Sequence, residues 1–128
     1  MNVHGRRLAG ALALLLAACA TPQPEVTRAP GAAVYPPTQF VELLEQPPTR
    51  AYQEIGTIDA PGEPGQLRAQ VLAQIRSRAQ QMGADAVILT DLSRVTPPAQ
   101  RLNPTTGLYD SVGGQTIPAF KGVAIRWR

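Results

Sequence analysis

The chain has 128 residues, 44% of them apolar and only 5% aromatic, with a net charge of +3, which leaves room for one small domain whose core is drawn from Val, Ile, Leu and Ala. Thirteen prolines and eleven glycines exclude a helical bundle. Two of the twelve Lys and Arg, Arg6 and Arg7, precede an apolar run; the other ten nearly balance nine acids, and no basic run with interleaved aromatics points to nucleic acid.

Residues 1–7, "MNVHGRR", are basic, and residues 8–18, "LAGALALLLAA", are apolar and uncharged. Eleven residues make about 16 Å of helix, too short for a bilayer core of about 30 Å. A basic start, a short apolar stretch and small residues at its end form a secretory signal peptide over 1–18. The residues after Arg6-Arg7 fit twin-arginine export poorly. Leu16-Ala17-Ala18-Cys19 resembles a bacterial lipobox, which implies that Cys19 is the lipid-attachment site and the first residue of the mature chain. An ordinary signal that ends in Cys, or a buried helix, are the alternatives. Two or more acyl chains anchor a protein stably where one does not. Ala20 stands where an inner-membrane retention signal would place Asp. By analogy this favours the outer membrane of a Gram-negative bacterium, on its periplasmic face.

Residues 19–38 comprise the lipidated N-terminus and a stretch with five prolines and no hydrophobic periodicity. They read as an extended tether that lifts the domain off the membrane. The domain is expected over 39–128. Phe40–Leu44 is a short strand candidate ended by Pro47-Pro48. "RAYQEIGTIDA" (50–60) alternates, with Tyr52, Glu54, Gly56 and Ile58 on one face and Gln53, Ile55, Thr57 and Asp59 on the other. Gly56 within it predicts a bulge or the close approach of another backbone. "PGEPG" (61–65) breaks the chain. Residues 66–82 place Leu67, Val71, Ile75, Ala79 and Met82 on one helical stripe, widened by Leu72. Gly83 fits a left-handed C-cap.

Residues 85–90 are a short apolar strand. Residues 93–118 form a long connection with a ragged hairpin around 108–112. Residues 122–128 alternate strictly, with Val123, Ile125 and Trp127 expected in the core and Ala124, Arg126 and Arg128 outside. The order strand–strand–helix–strand–strand predicts an α+β domain, a single helix on a small, mostly antiparallel sheet.

"YQEIGTID", "MGADAVIL" and "GVAIRW" together resemble small bacterial outer-membrane lipoprotein domains. Among these are the stress-sensor lipoprotein of the Rcs pathway and the small domains labelled heavy-metal-binding. The resemblance covers about residues 39–128. It implies a periplasmic, lipid-anchored domain or, from the metal-labelled group, a homo-oligomer with a site between protomers. The sensor's disulfide staples have no counterpart, because the chain has a single cysteine.

Chemistry is sparse. His4, the only histidine, lies in the leader, and Cys19 would be a thioether. This removes Cys/His dyads, Ser-His-Asp triads and the usual zinc sites. Glu42 and Glu45 fall on opposite faces of a strand; Asp59, Asp85 and Asp91 read as turn or strand-end residues. "VGGQT" lacks the helix and lysine of a phosphate loop. No catalytic, cofactor-binding or metal-binding residue is assigned, and the chain is read as a non-enzyme. Tyr35, Phe40, Tyr52, Tyr109, Phe120 and Trp127 are the candidate contact residues, with Tyr109 exposed and Trp127 in the core. Arg126, Arg128 and Lys121 form either a basic row for an acidic partner such as lipid headgroups, or a solvated strand edge. The leading expectation is a lipid-anchored envelope protein that acts through contacts with an envelope partner, in sensing or maintenance. The alternatives are an oligomeric small-ligand or metal-binding module and a purely structural envelope component.

Overall fold

The computed structural model describes residues 22–128; the expected signal peptide over 1–18 and Cys19 lie outside the described residues. The fold is α+β. Ten elements follow in chain order: β1 (Glu25–Arg28), β2 (Glu42–Leu44), β3 (Tyr52–Ala60), α1 (Arg68–Met82), β4 (Ala86–Asp91), β5 (Arg94–Val95), β6 (Ala99–Leu102), β7 (Tyr109–Val112), β8 (Thr116–Ile117) and β9 (Phe120–Trp127). Five of them form the main sheet in the order β1-β3-β9-β4-β2. Its pairs are antiparallel except β2 with β4. The expected strand–strand–helix–strand–strand order therefore holds for β2, β3, α1, β4 and β9, and gains β1 and two hairpin segments.

α1 forms where the 3.6-residue period lies. Val71, Ile75, Ala79 and Met82 are its buried residues. Leu67 is instead the exposed N-cap residue, its N–H donating to Gln70 Oε1 at 2.9 Å. Gly83 ends the helix at φ 77°, with its N–H on the Gln80 carbonyl. The stripe packs on Ile55, Ile58, Ala60, Val87, Phe120 and Ala124, with Val41 and Ala84 in the same cluster.

Both readings of Gly56 hold. The β3–β9 register slips between Glu54 and Gly56. A Cβ on Gly56 would also stand 2.5 Å from Met82 Cε and from the Thr27 carbonyl oxygen. The bulge brings Ile55 to the helix side, so Ile55 and Ile58 both join the core and the strict alternation read over 50–60 breaks there.

β9 faces the other way from expectation. Ala124, with Phe120 and Gly122, lies on the helix side, and Val123, Ile125 and Trp127 alternate to the far face. On the helix side Val87 and Leu89 of β4 fill the space at Gly122, and Phe120 is buried. Ile125 is nevertheless completely buried, as is its partner Ala86 in β4. The 45–51 connection joins β2 to the parallel β3 past β4 and β9, so it must cross a face of the sheet. Arg50, whose guanidinium lies 4.8 Å from the Trp127 ring, puts that crossing on the far face.

The tether expected over 19–38 is corrected too. Glu25–Arg28 pairs with Asp59–Gly56 as an edge strand, Val26 packs on the core, and Pro24 is buried. An edge strand has one unpaired side, so prolines on its flanks are tolerated. Residues 35–39 then clasp the end of α1. Thr38 N–H donates to the Gln80 carbonyl at 3.0 Å, Gln80 Nε2 donates to the Gln39 carbonyl at 2.8 Å, and Gln53 Nε2 donates to the Tyr35 hydroxyl at 2.6 Å. The folded unit thus begins well before residue 39.

Candidate functional site

β4 and β9 are neighbours, and the chain between them continues their ladder out of the sheet as a two-stranded arm, residues 92–119. Leu92 N–H donates to the Ala119 carbonyl at 2.8 Å, Arg94–Val95 pairs with Ile117–Thr116, and Thr96 N–H reaches the Gln115 carbonyl at 2.8 Å. Pro97-Pro98 cannot donate, and the ladder breaks opposite Gly113-Gly114. It resumes as β6 against β7, with Arg101 opposite Asp110 and Leu102 opposite Tyr109.

The tip is closed by its own groups. Asn103 N–H donates to the Leu108 carbonyl and Gly107 N–H to the Asn103 carbonyl, both at 2.8 Å, while Thr105 N–H donates to Asn103 Oδ1 at 2.9 Å. Gly107 takes φ 70°, and Asn103 Nδ2 reaches Asp110 Oδ2. Leu102, Leu108 and Tyr109 are 53%, 68% and 67% exposed, and no charge falls between Leu102 and Tyr109. The expected hairpin around 108–112 is therefore part of a longer arm. "AQRL" has little strand character, so the partner strand gave no signal of its own; the Asn-Pro…Gly turn chemistry at 103–107 could have revealed it.

A cleft of about 400 Å³ opens beside the arm's base. Leu43, Leu72, Leu89 and Phe120 line it, with Glu45, Arg68 and Asp91. Arg68 lies over the Phe120 ring at 4.7 Å and pairs with Asp91. The Ser93 hydroxyl, then Arg68 and the Ser93 backbone N–H, hold the Asp91 carboxyl at about 2, below its ordinary 3.8. Ser93 also accepts from Ala119 N–H across the arm, at 3.2 Å. Because the folded-state pKa is depressed, this stabilisation is present above pH 4 and is lost as pH falls toward 2. Both side chains are about half exposed, so solvent screening keeps the pair below about 1 kcal/mol. In an NMR titration, Arg68→Gln should raise the Asp91 midpoint only part of the way, because Ser93 still holds the carboxylate. A complete return to 3.8 would contradict the leading role of Ser93.

The other residues singled out from sequence are dispersed. Asp85 is structural: its carboxylate accepts Trp127 N–H at 2.9 Å, and its carbonyl accepts Glu42 N–H at 3.1 Å. Asp59 is exposed opposite Lys121. Glu42 and Phe40 are exposed, Tyr52 is half-buried, and Phe120 is buried. The basic row does not form. Arg126 turns to the helix side, lies over Tyr35 at 4.2 Å and donates to the Gly83 carbonyl at 2.7 Å. Lys121 belongs to the opposite face of β9, since odd and even positions alternate. Trp127 is half-buried under Arg50 and lies outside the helix-side core. Among the described residues, no group of three or more His, Cys, Asp or Glu could hold a metal ion, and no helix is long and apolar enough to cross a membrane. Comparison with protein-family models, curated proteins and solved structures finds no match.

Proposed function

We propose that the protein is a non-enzymatic lipoprotein of the Gram-negative outer membrane, anchored through Cys19 on the periplasmic face and acting through envelope contacts. The observation that carries the contact role is the arm, which holds large apolar side chains out from a domain whose own core is filled. The anchor rests on Leu16-Ala17-Ala18-Cys19 behind a short apolar run, and on the resemblance of the domain to outer-membrane lipoproteins. Cys19→Ser, expressed in the native host, should lose lipid labelling and leave the outer-membrane fraction. Unchanged partitioning with membranes would refute the anchor.

The cleft beside the arm favours a second reading, an oligomeric small-ligand module. Its apolar floor and charged rim suit an amphipathic molecule. The mass of the purified protein in detergent separates the two: a stable ring with ligand bound stoichiometrically would support the module, and a monomer the contact protein.

A further inference from the structure

We propose that the tip of the arm inserts into the surface of the same membrane that holds the lipid anchor. The inference rests on the anchor at Cys19 and adds a second point of membrane contact.

The register places both features at one end of the sheet. Glu25 of β1 pairs with Asp59, Ala60 with Phe120, and Phe120 with Asp91. The chain enters the sheet at the end from which the arm leaves. Gln23 lines the same surface hollow as Leu92, Arg94 and Ala119 at the arm's base. Only four peptide steps separate Cys19 from Gln23, at most about 15 Å of extended chain. Because residues 25–28 belong to the sheet, little free chain remains to lift the domain away. The arm, of up to about 40 Å at 3.3 Å per residue, therefore starts beside the bilayer.

The tip has the chemistry of an interfacial anchor. Leu102, Leu108 and Tyr109 present apolar bodies with one hydroxyl, as side chains at a headgroup boundary do. Charge is absent across residues 102–109 and returns with Arg101 and Asp110, which face each other across the hairpin. Backbone groups leave water at a cost unless paired. Here the N–H groups of Asn103, Thr105 and Gly107 are satisfied inside the loop. A protein partner that extended the hairpin edge would find only four-residue strands, cut off by Pro97-Pro98 and Gly113-Gly114.

The test uses the full mature lipoprotein in vesicles of phosphatidylethanolamine and phosphatidylglycerol. An environment-sensitive fluorophore is placed at Leu108→Cys or, at the far end of α1, at Gln81→Cys; the lipidated sulfur of Cys19 does not take the label. The label at 108 should shift to the blue and be quenched by lipids brominated in the upper acyl chain, and the label at 81 should do neither. Adding Leu102→Ser and Tyr109→Ser should lower the inserted fraction at least about tenfold. Vesicles that float with the protein while the label at 108 stays water-like would overturn the insertion and leave the anchor standing. Protein that does not float, with a free thiol by intact mass, would overturn both. A blue shift that needs an envelope extract and escapes brominated lipid would give the tip to a protein partner, against the proposal.

Discussion

Gly62→Ala should cost about 3 kcal/mol or more, while Gly65→Ala, three residues on, should cost about 1. Both glycines have positive φ, 62° and 83°, which a side chain adopts at a penalty. They differ in what a Cβ would meet. At Gly65 nothing lies within 4 Å; at Gly62 the Cβ would fall 1.6 Å from the Pro118 carbonyl oxygen and 2.8 Å from its carbon. Backbone cannot swing aside as a long side chain can, so the β3–α1 turn and the return limb of the arm must part. Pro118 and Ala119 are buried there, beside the Leu92–Ala119 hydrogen bond that starts the arm. Urea unfolding followed by far-UV circular dichroism measures both losses, and amide exchange at Leu92 should rise in Gly62→Ala alone. Equal losses for the two variants would mean that the turn does not press on the arm.

The parts of the fold legible from sequence are those written locally. The α1 stripe and the Gly83 cap need only the residues of one segment, and Gly56 signalled its bulge because few other reasons put glycine inside a strand. β1 was hidden because its partner lies about thirty residues away and its four residues stand among prolines. The facing of β9 was hidden for another reason. Alternation tells inside from outside when one face is wet, but both faces of β9 are covered at Ala124 and Ile125. Side-chain bulk then does not mark the helix side, where Ala124 and Phe120 lie while Ile125 is buried on the far face. Of the candidate site, Tyr109 was visible as an exposed aromatic. The cleft was not, since Leu43, Arg68, Asp91 and Phe120 meet only through the topology of four separate elements.

The shortened tether changes what the proposed anchor at Cys19 would do mechanically. A long polyproline spacer would let the domain sample a wide volume and meet partners in any orientation. A chain that enters the sheet at Glu25 would, with the proposed anchor at Cys19, hold one end of the domain near the bilayer and limit its tilt. Asp91 lies at that end and bridges the first residue of α1 to Ser93 at the start of the arm. The start of the arm and the start of the helix thus share one exposed carboxylate.

Ile75→Ala should destabilise the protein by about 3–4 kcal/mol, a large part of the 5–15 kcal/mol that holds a domain of this size together. Ile75 is completely buried in the middle of the α1 stripe, within the cluster that includes Val71, Ala79, Ile55 and Ile58. Removing its outer carbons opens a cavity between helix and sheet, and the close approach over Gly56 leaves the helix little room to settle into it. At about 4–8 °C per kcal/mol the melting temperature should fall by roughly 12–30 °C. Leu72→Ala, on the cleft side of the same helix and only half-buried, should lose about 1–2 kcal/mol, because that wall already faces open space. Trp127, the only tryptophan, reports from the far face of the sheet. Its fluorescence should follow the same transition as the helix signal in Ile75→Ala if the two faces unfold as one. A tryptophan transition that stays at the wild-type temperature while the helix melts early would show instead that β9 and the crossover under Arg50 are held independently of α1.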